Sequence, residues 1–432
     1  MSTLSATELT KLRDLLARAL SLEEVNQLGR DTGQAQRLRT VTPHRLFLAV
    51  VSTLAGARVE SLADLLRAFN YQNGRTVAYK AFYNRLARVG FATFMHGMFD
   101  RLVERLRVET LTPEGHTAVA RFTDIVIQDG SSFALKPALQ RAFPGRFTTI
   151  EPAAVEVHAT YSGFADEVCA VHVAPDCEAE RQFLPDPATL TDRLWLADRG
   201  YPSVPYFEAV DAAGGAFIVR LPRSHDPWIR RAWVEGQRIE APPPRRLSRF
   251  LAEHPGAHLD LDVEYQRGRR RVGFRVVVIP GREPARTRLC TNLPRTPFSA
   301  DLIARLYRFR WQVELVFKEW KSYANLHKFD TANAHIAEGL IWASLCAAVL
   351  KRFLAHAAQR VGAGKPMSTR RVAMCAPYLL HELVTALLLG AGLLVALRRA
   401  LTYLLANARR ANPKRDRRSG RLRTGLAVIG TR

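Results

Sequence analysis

The chain has 432 residues, 47% hydrophobic and 24% charged, with a formal charge of +23 and a pI near 10.5. That apolar content excludes a disordered chain, and the length allows two or three domains. The basic balance points to a polyanionic partner, nucleic acid first, although ribosomal and membrane-surface proteins share it.

The five cysteines, Cys169, Cys177, Cys290, Cys346 and Cys375, form no CxxC pair and no zinc spacing, so reduced, mostly buried thiols of a cytosolic protein are expected. The N-terminus, MSTLSATELTKLRDLL, lacks a cationic segment followed by an apolar run, so no signal peptide is read. The longest apolar stretch, Ala386 to Leu397, falls short of the about 20 residues of a membrane span and reads as a buried helix.

Residues 1 to about 115 have helical spacing. Thr7 or Ser21 suits a helix cap, and Ser61 opens another helix. After the turn at Tyr71-Gln72-Asn73-Gly74, a helix over Thr76 to Val89 carries Lys80, Arg85 and Arg88, with Arg75 just before it. Two helices around a Gly-containing turn, the second basic, suit a helix-turn-helix, although a solvated basic face has the same pattern.

Pro113-Glu114-Gly115 marks a boundary, after which Phe122 to Asp129 reads as a strand closed by a turn at Gly130-Ser131-Ser132. Asp129 is expected at the strand's end, and Asp124, five residues earlier, on the other face of the pleat. Val155 to Tyr161 and Val168 to Ala174 read as further strands of an antiparallel meander, and Asp186 to Arg193 as a helical pass. Leu194-Trp195-Leu196-Ala197-Asp198 is a second apolar run ending in Asp, with Gly200 close behind. Between Tyr206 and Arg295, four runs read as strands: Phe217 to Leu221, His258 to Tyr265, Arg271 to Ile279 and Arg288 to Leu293. This segment is strongly basic through Arg267, Arg269, Arg270, Arg271 and Arg275. Trp228 and Trp233 could stack on an unpaired base, and burial in a core is their more ordinary role.

Leu302 to Leu326 reads as one helix, capped by Ser299 with Asp301 in its first turn. At about 100° per residue, Tyr307, Arg310, Glu314 and Lys321 share a stripe beside an apolar arc of Phe309, Val313, Phe317 and Trp320. A Glu314–Arg310 pair at i, i+4 is by itself ordinary surface chemistry, and Glu319 falls off the stripe. A long helix over Ile336 to Ala358 follows. Val361 to Pro366 fails as a phosphate loop, because Gln359 holds the first Gly position, and His381-Glu382 fails as a zinc-protease motif, because Thr385 replaces the second His. The chain closes in a basic tail from Arg409.

The pattern Tyr307-x2-Arg310-x3-Glu314-x6-Lys321 resembles the Tyr-Arg-Glu-Lys signature of DDE transposases of the insertion-sequence-four family. Such a family needs two upstream aspartates at strand ends, and Asp129 and Asp198 meet that demand in order. The resemblance implies an α+β fold: a ribonuclease-H-like core (mixed sheet flanked by helices) over residues 116–358, a mainly β insertion at 206–295 before the catalytic helix, and helical N- and C-terminal regions. Residues 1–115 would be the helical domain that reads the element's terminal repeats, 359–408 a C-terminal helical region, and 409–432 a flexible tail.

Hydrolysing a DNA phosphodiester requires an activated water, neutralised phosphate oxygens and a stabilised leaving 3′ oxygen. Two divalent metals about 3.5–4 Å apart supply all three when carboxylates hold them. Asp129, Asp198 and Glu314 are therefore assigned as catalytic metal ligands, with Asp129 the candidate to bridge both ions. Mg²⁺ suits hard oxygen ligands, with Mn²⁺ as substitute. The resemblance gives Tyr307, Arg310 and Lys321 the role of holding phosphates. It implies an Mg-dependent enzyme that cuts double-stranded DNA at terminal inverted repeats and joins the 3′ ends to target DNA. The expected setting is a homodimer in a synaptic complex in the bacterial cytoplasm, associated with the nucleoid and with no membrane. A catalytically silent DNA-binding protein derived from a transposase is the alternative.

Overall fold

A computed structural model describes residues 5–56, 59–106, 118–239, 245–281, 286–323, 326, 329–362 and 367–410. The expected boundary at Pro113-Glu114-Gly115, most of the rejected phosphate loop and nearly all of the basic tail lie outside these residues.

The first elements among the described residues are six helices: α1 (Ala6–Ala19), α2 (Leu22–Asp31), α3 (Pro43–Gly56), α4 (Leu62–Asn73), α5 (Tyr79–Leu86) and α6 (Val89–Arg105). Ser5 and Ser21 cap the first two by accepting from Glu8 and Glu24 N–H; Thr7 lies inside α1. Ser61 and Asp64 form a capping box on α4, and Gly74 ends it at φ 55°. The single basic helix expected over Thr76 to Val89 is split, because Arg88 takes an extended conformation between α5 and α6.

The core sheet is built from β1 (Asp124–Ala134), β2 (Ala154–Ser162), β3 (Glu167–Pro175), β4 (Arg193–Ala197) and β5 (Ala216–Arg220), with α7 (Val204–Ala212) connecting the last two. Their order is β3-β2-β1-β4-β5, with β1 antiparallel to β2 and parallel to β4, and β4 parallel to β5. This is an α+β, ribonuclease-H-like mixed sheet. The helix expected over Asp186 to Arg193 is only a 3-10 turn, Pro187–Leu190, capped by Asp186, because the chain already enters β4 at Arg193. The turn expected after Asp129 is also absent: β1 runs on to Ala134, pairing Gly130 with His158 and Ser132 with Glu156.

The sheet continues beyond β5 through β6 (Trp228–Val234), β7 (Gln237–Ile239), β8 (Arg245–Arg246), β9 (Leu259–Arg267), β10 (Arg270–Ile279) and β11 (Thr287–Thr291), with α8 (Leu247–Glu253) following β8. β11 pairs antiparallel with β5, joining the mainly β segment to the core in one 11-stranded sheet. Alternation fixes its two faces. Ile125, Ile127, Leu194, Leu196 and Ile218 share the main apolar core with the helices, whereas Val126, Trp195, Phe217 and Val219 join a second core with Phe207 of α7 and Phe274 of β10.

The helix expected from Leu302 to Leu326 is two: α9 (Ala300–Arg308), capped by Ser299, and α10 (Trp311–Tyr323). At their junction Phe309 and Arg310 N–H donate to Leu306 and Tyr307 carbonyls, each at 3.0 Å, and Gln312 N–H donates to Phe309 at 3.0 Å. This i to i+3 winding is tighter than an α-turn. It buries Phe309 and leaves Arg310 8% exposed against the sheet.

The last elements among the described residues are α11 (Ala334–Val361), α12 (Thr369–Leu389) and α13 (Leu393–Asn407). The stretch from Ala386 to Leu397 is therefore no single buried helix: Gly390 and Gly392, at φ 65° and 78°, turn the chain, and Leu389 and Val395 are exposed. By length and composition α11 and α12 could each cross a membrane, but 83% and 50% of their apolar windows are buried inside the protein. α11 packs on α3 and α6, α12 on α3 and α13 on α1, so the first and last helices form one shared core. His96 stacks on Trp342 with centroids 3.9 Å apart, and the Phe91 ring fills the space at Gly339. Each fully buried Phe of α6 contributes about 1.5–3 kcal/mol.

Candidate active site

The register of three parallel strands builds the site. Gln128 of β1 pairs with Ala197 of β4, which pairs with Val219 of β5. The next residues, Asp129, Asp198 and Arg220, therefore stand side by side on one face, the face carrying Ile127, Leu196 and Ile218. β4 ends at Ala197 while β1 continues, so Asp129 lies at the point where its parallel neighbour stops.

α9 and α10 cover this face and bring the third carboxylate. Arg310 Nη1 donates to Asp129 Oδ2 at 2.5 Å and Nη2 to Glu314 Oε1 at 2.6 Å, so one guanidinium joins the two acids. Tyr307 donates its hydroxyl to Asp198 Oδ1 at 3.1 Å, and Arg220 Nη1 lies 3.6 Å from the same oxygen. The site unites five of the six expected residues: Asp129, Asp198, Tyr307, Arg310 and Glu314. Lys321 stands apart, exposed, with its Nζ 5.1 Å from the Phe133 ring centroid. Phe133 is four residues beyond Asp129 on the same face of β1, about 13 Å along the strand. Glu319 points elsewhere and pairs with Arg352 at 3.4 Å.

Burial pushes the Asp129 carboxyl up to about 6, against the pull of Arg310 and the Gly130 N–H, and the charges of Asp198 and Glu314 add to the rise. Burial also raises the Tyr307 phenol, helped by Asp198. For Arg310, burial alone would favour the neutral form, but Asp129 and the neighbouring oxygens outweigh it and hold the guanidinium charged.

Three carboxylates on one edge are hard oxygen donors of the kind Mg²⁺ and Mn²⁺ take. Among the described residues no three His, Cys, Asp or Glu are already gathered into a metal cage. Arg310 stands where a cation would, balancing Asp129 and Glu314. On that test the donor set fits a divalent ion.

Arg220 was missed from sequence. Its signal was present, an Arg closing an apolar strand, but only register with Asp198 gives it meaning. Trp228 and Trp233 are not core residues: both are half-buried, and a bulge between Ile229 and Arg231 brings them opposite Glu264 and Asp260 on one face. Arg246 lies over Trp228 at 4.3 Å and Arg295 over Trp233 at 3.5 Å.

Two acids at adjoining strand positions and a third from a helix, on a ribonuclease-H-like sheet, define the DDE class. The family description "Transposase DDE domain" matches residues 121–350, and the chain belongs to that family. It is 20% identical over 360 residues to the transposase for insertion sequence element IS1151 of Clostridium perfringens, covering 74% of this chain and 75% of that one. With the transposase for insertion sequence element IS231C of Bacillus thuringiensis subsp. berliner it shares 20% identity over 380 residues, 79% of this chain and 78% of the relative. A solved piggyBac transposase synaptic complex with hairpin DNA aligns over 92% of this chain and 85% of that one, at 10% identity and a TM-score of 0.46. Proteins of this domain family generally use divalent metal ions and bind DNA.

Proposed function

We propose that the chain is a transposase of the insertion-sequence-four family, which cuts DNA at the ends of its element and joins the 3′ ends to target DNA. Asp129, Asp198 and Glu314 would hold two Mg²⁺ ions, or Mn²⁺ in their place, which activate the attacking water or 3′ hydroxyl and stabilise the leaving oxygen. Tyr307, Arg310 and Lys321 would hold phosphates on either side of the scissile bond. In this reading Arg310 has two partners in turn: Asp129 and Glu314 before metal and DNA arrive, and a phosphate afterwards.

The observation that carries the reading is the in-register placement of Asp129 and Asp198, with Glu314 tied to Asp129 through Arg310. The proposed units are a DNA-binding helical region at 1–115, the catalytic core at 116–358 with its insertion at 206–295, and a C-terminal helical region at 359–408. The proposed partners are terminal inverted repeats and target duplex, engaged by a homodimer in the bacterial cytoplasm at the nucleoid. The test is incubation of the purified protein with end-labelled duplexes carrying candidate terminal repeats, with and without Mg²⁺. Metal-dependent nicks at the repeat ends, lost in Asp198→Asn with DNA binding retained, are expected. DNA binding without cleavage under every metal condition would leave only a binding protein.

A further inference from the structure

Each site aspartate is followed closely by a glycine, and each glycine lies against a glutamate. A β-carbon on Gly130 would come within 2.6 Å of Glu156 Oε1 and 3.0 Å of His158 Nδ1. One on Gly200 would overlap a Glu180 carboxylate oxygen. Gly130 and Glu156 lie on the face of the sheet opposite Asp129, since their positions alternate with the core-facing Asp129 and Val157.

Glu156 is only 4% exposed, and Arg146 Nη2 donates to it at 3.0 Å. Arg146 is itself anchored, its backbone N–H to Asp176 Oδ2 at 3.0 Å and its Nε to the Asp176 carbonyl at 3.2 Å. Ser132 donates to the other Asp176 oxygen and returns the chain of contacts to β1. The Glu180 carboxyl is raised by burial and by Asp198 and Asp176, against the pull of Arg146. His158 stacks on Phe183 with its Nε2 3.8 Å from Glu156 Oε2, and burial lowers its pKa to about 4, so it brings Glu156 little compensating charge.

We infer that Glu156, held by Arg146, and Glu180 are positioning residues: they brace the backbone at Gly130 and Gly200, and so fix where Asp129 and Asp198 present their oxygens. This rests on the proposed metal role of the two aspartates. Outer partners that orient metal ligands typically change affinity by about 10–100-fold when removed.

Arg146→Gln gives a test that separates bracing from charge. Removing a cation near acidic ligands should by itself tighten a divalent ion, whereas loss of the brace should weaken it. Mn²⁺ binding to the DNA-free full chain is measured by titration calorimetry, with thermal unfolding followed alongside. The expected result is about tenfold or greater weakening of Mn²⁺ in Arg146→Gln, and weakening also in Arg146→Lys, which keeps the charge but not the guanidinium fork and keeps the test open should the Gln variant fold poorly. Wild-type affinity or tighter in a folded variant overturns the inference while leaving the metal site standing. Absence of Mn²⁺ binding in the wild-type chain overturns the metal reading itself, and the brace with it.

Discussion

Arg310 joins Asp129 to Glu314, two acids from distant parts of the chain, through its two terminal nitrogens at 2.5 and 2.6 Å. Truncating one partner of such a buried pair leaves the other charges uncompensated, at a cost of about 3–5 kcal/mol. Arg310→Ala should therefore lower the melting temperature of the metal-free protein, and added Mg²⁺ should recover more stability in the variant than in the wild type. Calorimetry with and without Mg²⁺ checks this. Equal metal responses would mean that Arg310 and the metal do not share a place.

Replacing any one carboxylate should abolish strand cleavage without abolishing DNA binding. For Asp129→Asn, Asp198→Asn and Glu314→Gln the expected loss is at least about 10³-fold, roughly 4 kcal/mol of transition-state stabilisation. Single-turnover rates on pre-nicked and intact duplexes measure it. Glu319→Gln is the control, since Glu319 pairs with Arg352 away from the site.

The raised Asp129 carboxyl sets a pH dependence whose sign is fixed. Its folded pKa of about 6 lies above the unfolded value of 3.8, so across that window the folded chain binds the extra proton and loses stability as pH rises. Glu156, pushed up to about 7 by burial and then by Glu180, contributes the same sign from 4.5 upward, while Arg146 opposes it. Metal-free wild type minus Asp129→Asn should therefore show a stability difference that falls between about pH 4 and 6. Mn²⁺ affinity should rise over the same range, because the ligand must first lose its proton. Denaturant melts across pH report the first and calorimetric titrations the second.

In the N-terminal region a concave surface of about 320 Å³ is lined by Arg37, Arg39, Arg85 and Arg88, with no carboxylate among its lining residues. Burial and the charges of Arg88 and Arg39 lower the Arg85 pKa, as expected where cations are massed. If duplex DNA seats here, each arginine lost should reduce the slope of log affinity against log salt by about 0.9 per phosphate contact, uniformly across sequences. Fluorescence anisotropy over a salt series measures it, and an unchanged slope in the fourfold Ala variant would place the DNA elsewhere.

The sequence carried much of this site because its signals are local. An apolar run ending at Asp198 needs no partner to be recognised, and the Tyr307 to Lys321 spacing is read along one segment. What escaped was set by contacts between segments. The break at Phe309 and Arg310 keeps the apolar period that a continuous helix would have, so periodicity could not reveal it. Gly130-Ser131-Ser132 has turn composition, yet β2 lies alongside to pair with it, and Gly130 makes room for Glu156. Arg220 gained its place only from the register of β4 and β5. The first helices looked like a separate unit because their apolar faces are visible in sequence, while the faces of α11 to α13 that complete their core lie far downstream.

Anomalous diffraction from crystals of the full chain grown with Mn²⁺ tests the central claim most directly. The account expects Mn²⁺ bound by Asp129 and Asp198, with Glu314 on the same cluster and Arg310 turned away from Asp129. Mn²⁺ bound elsewhere while Arg310 still bridges Asp129 and Glu314 would contradict it.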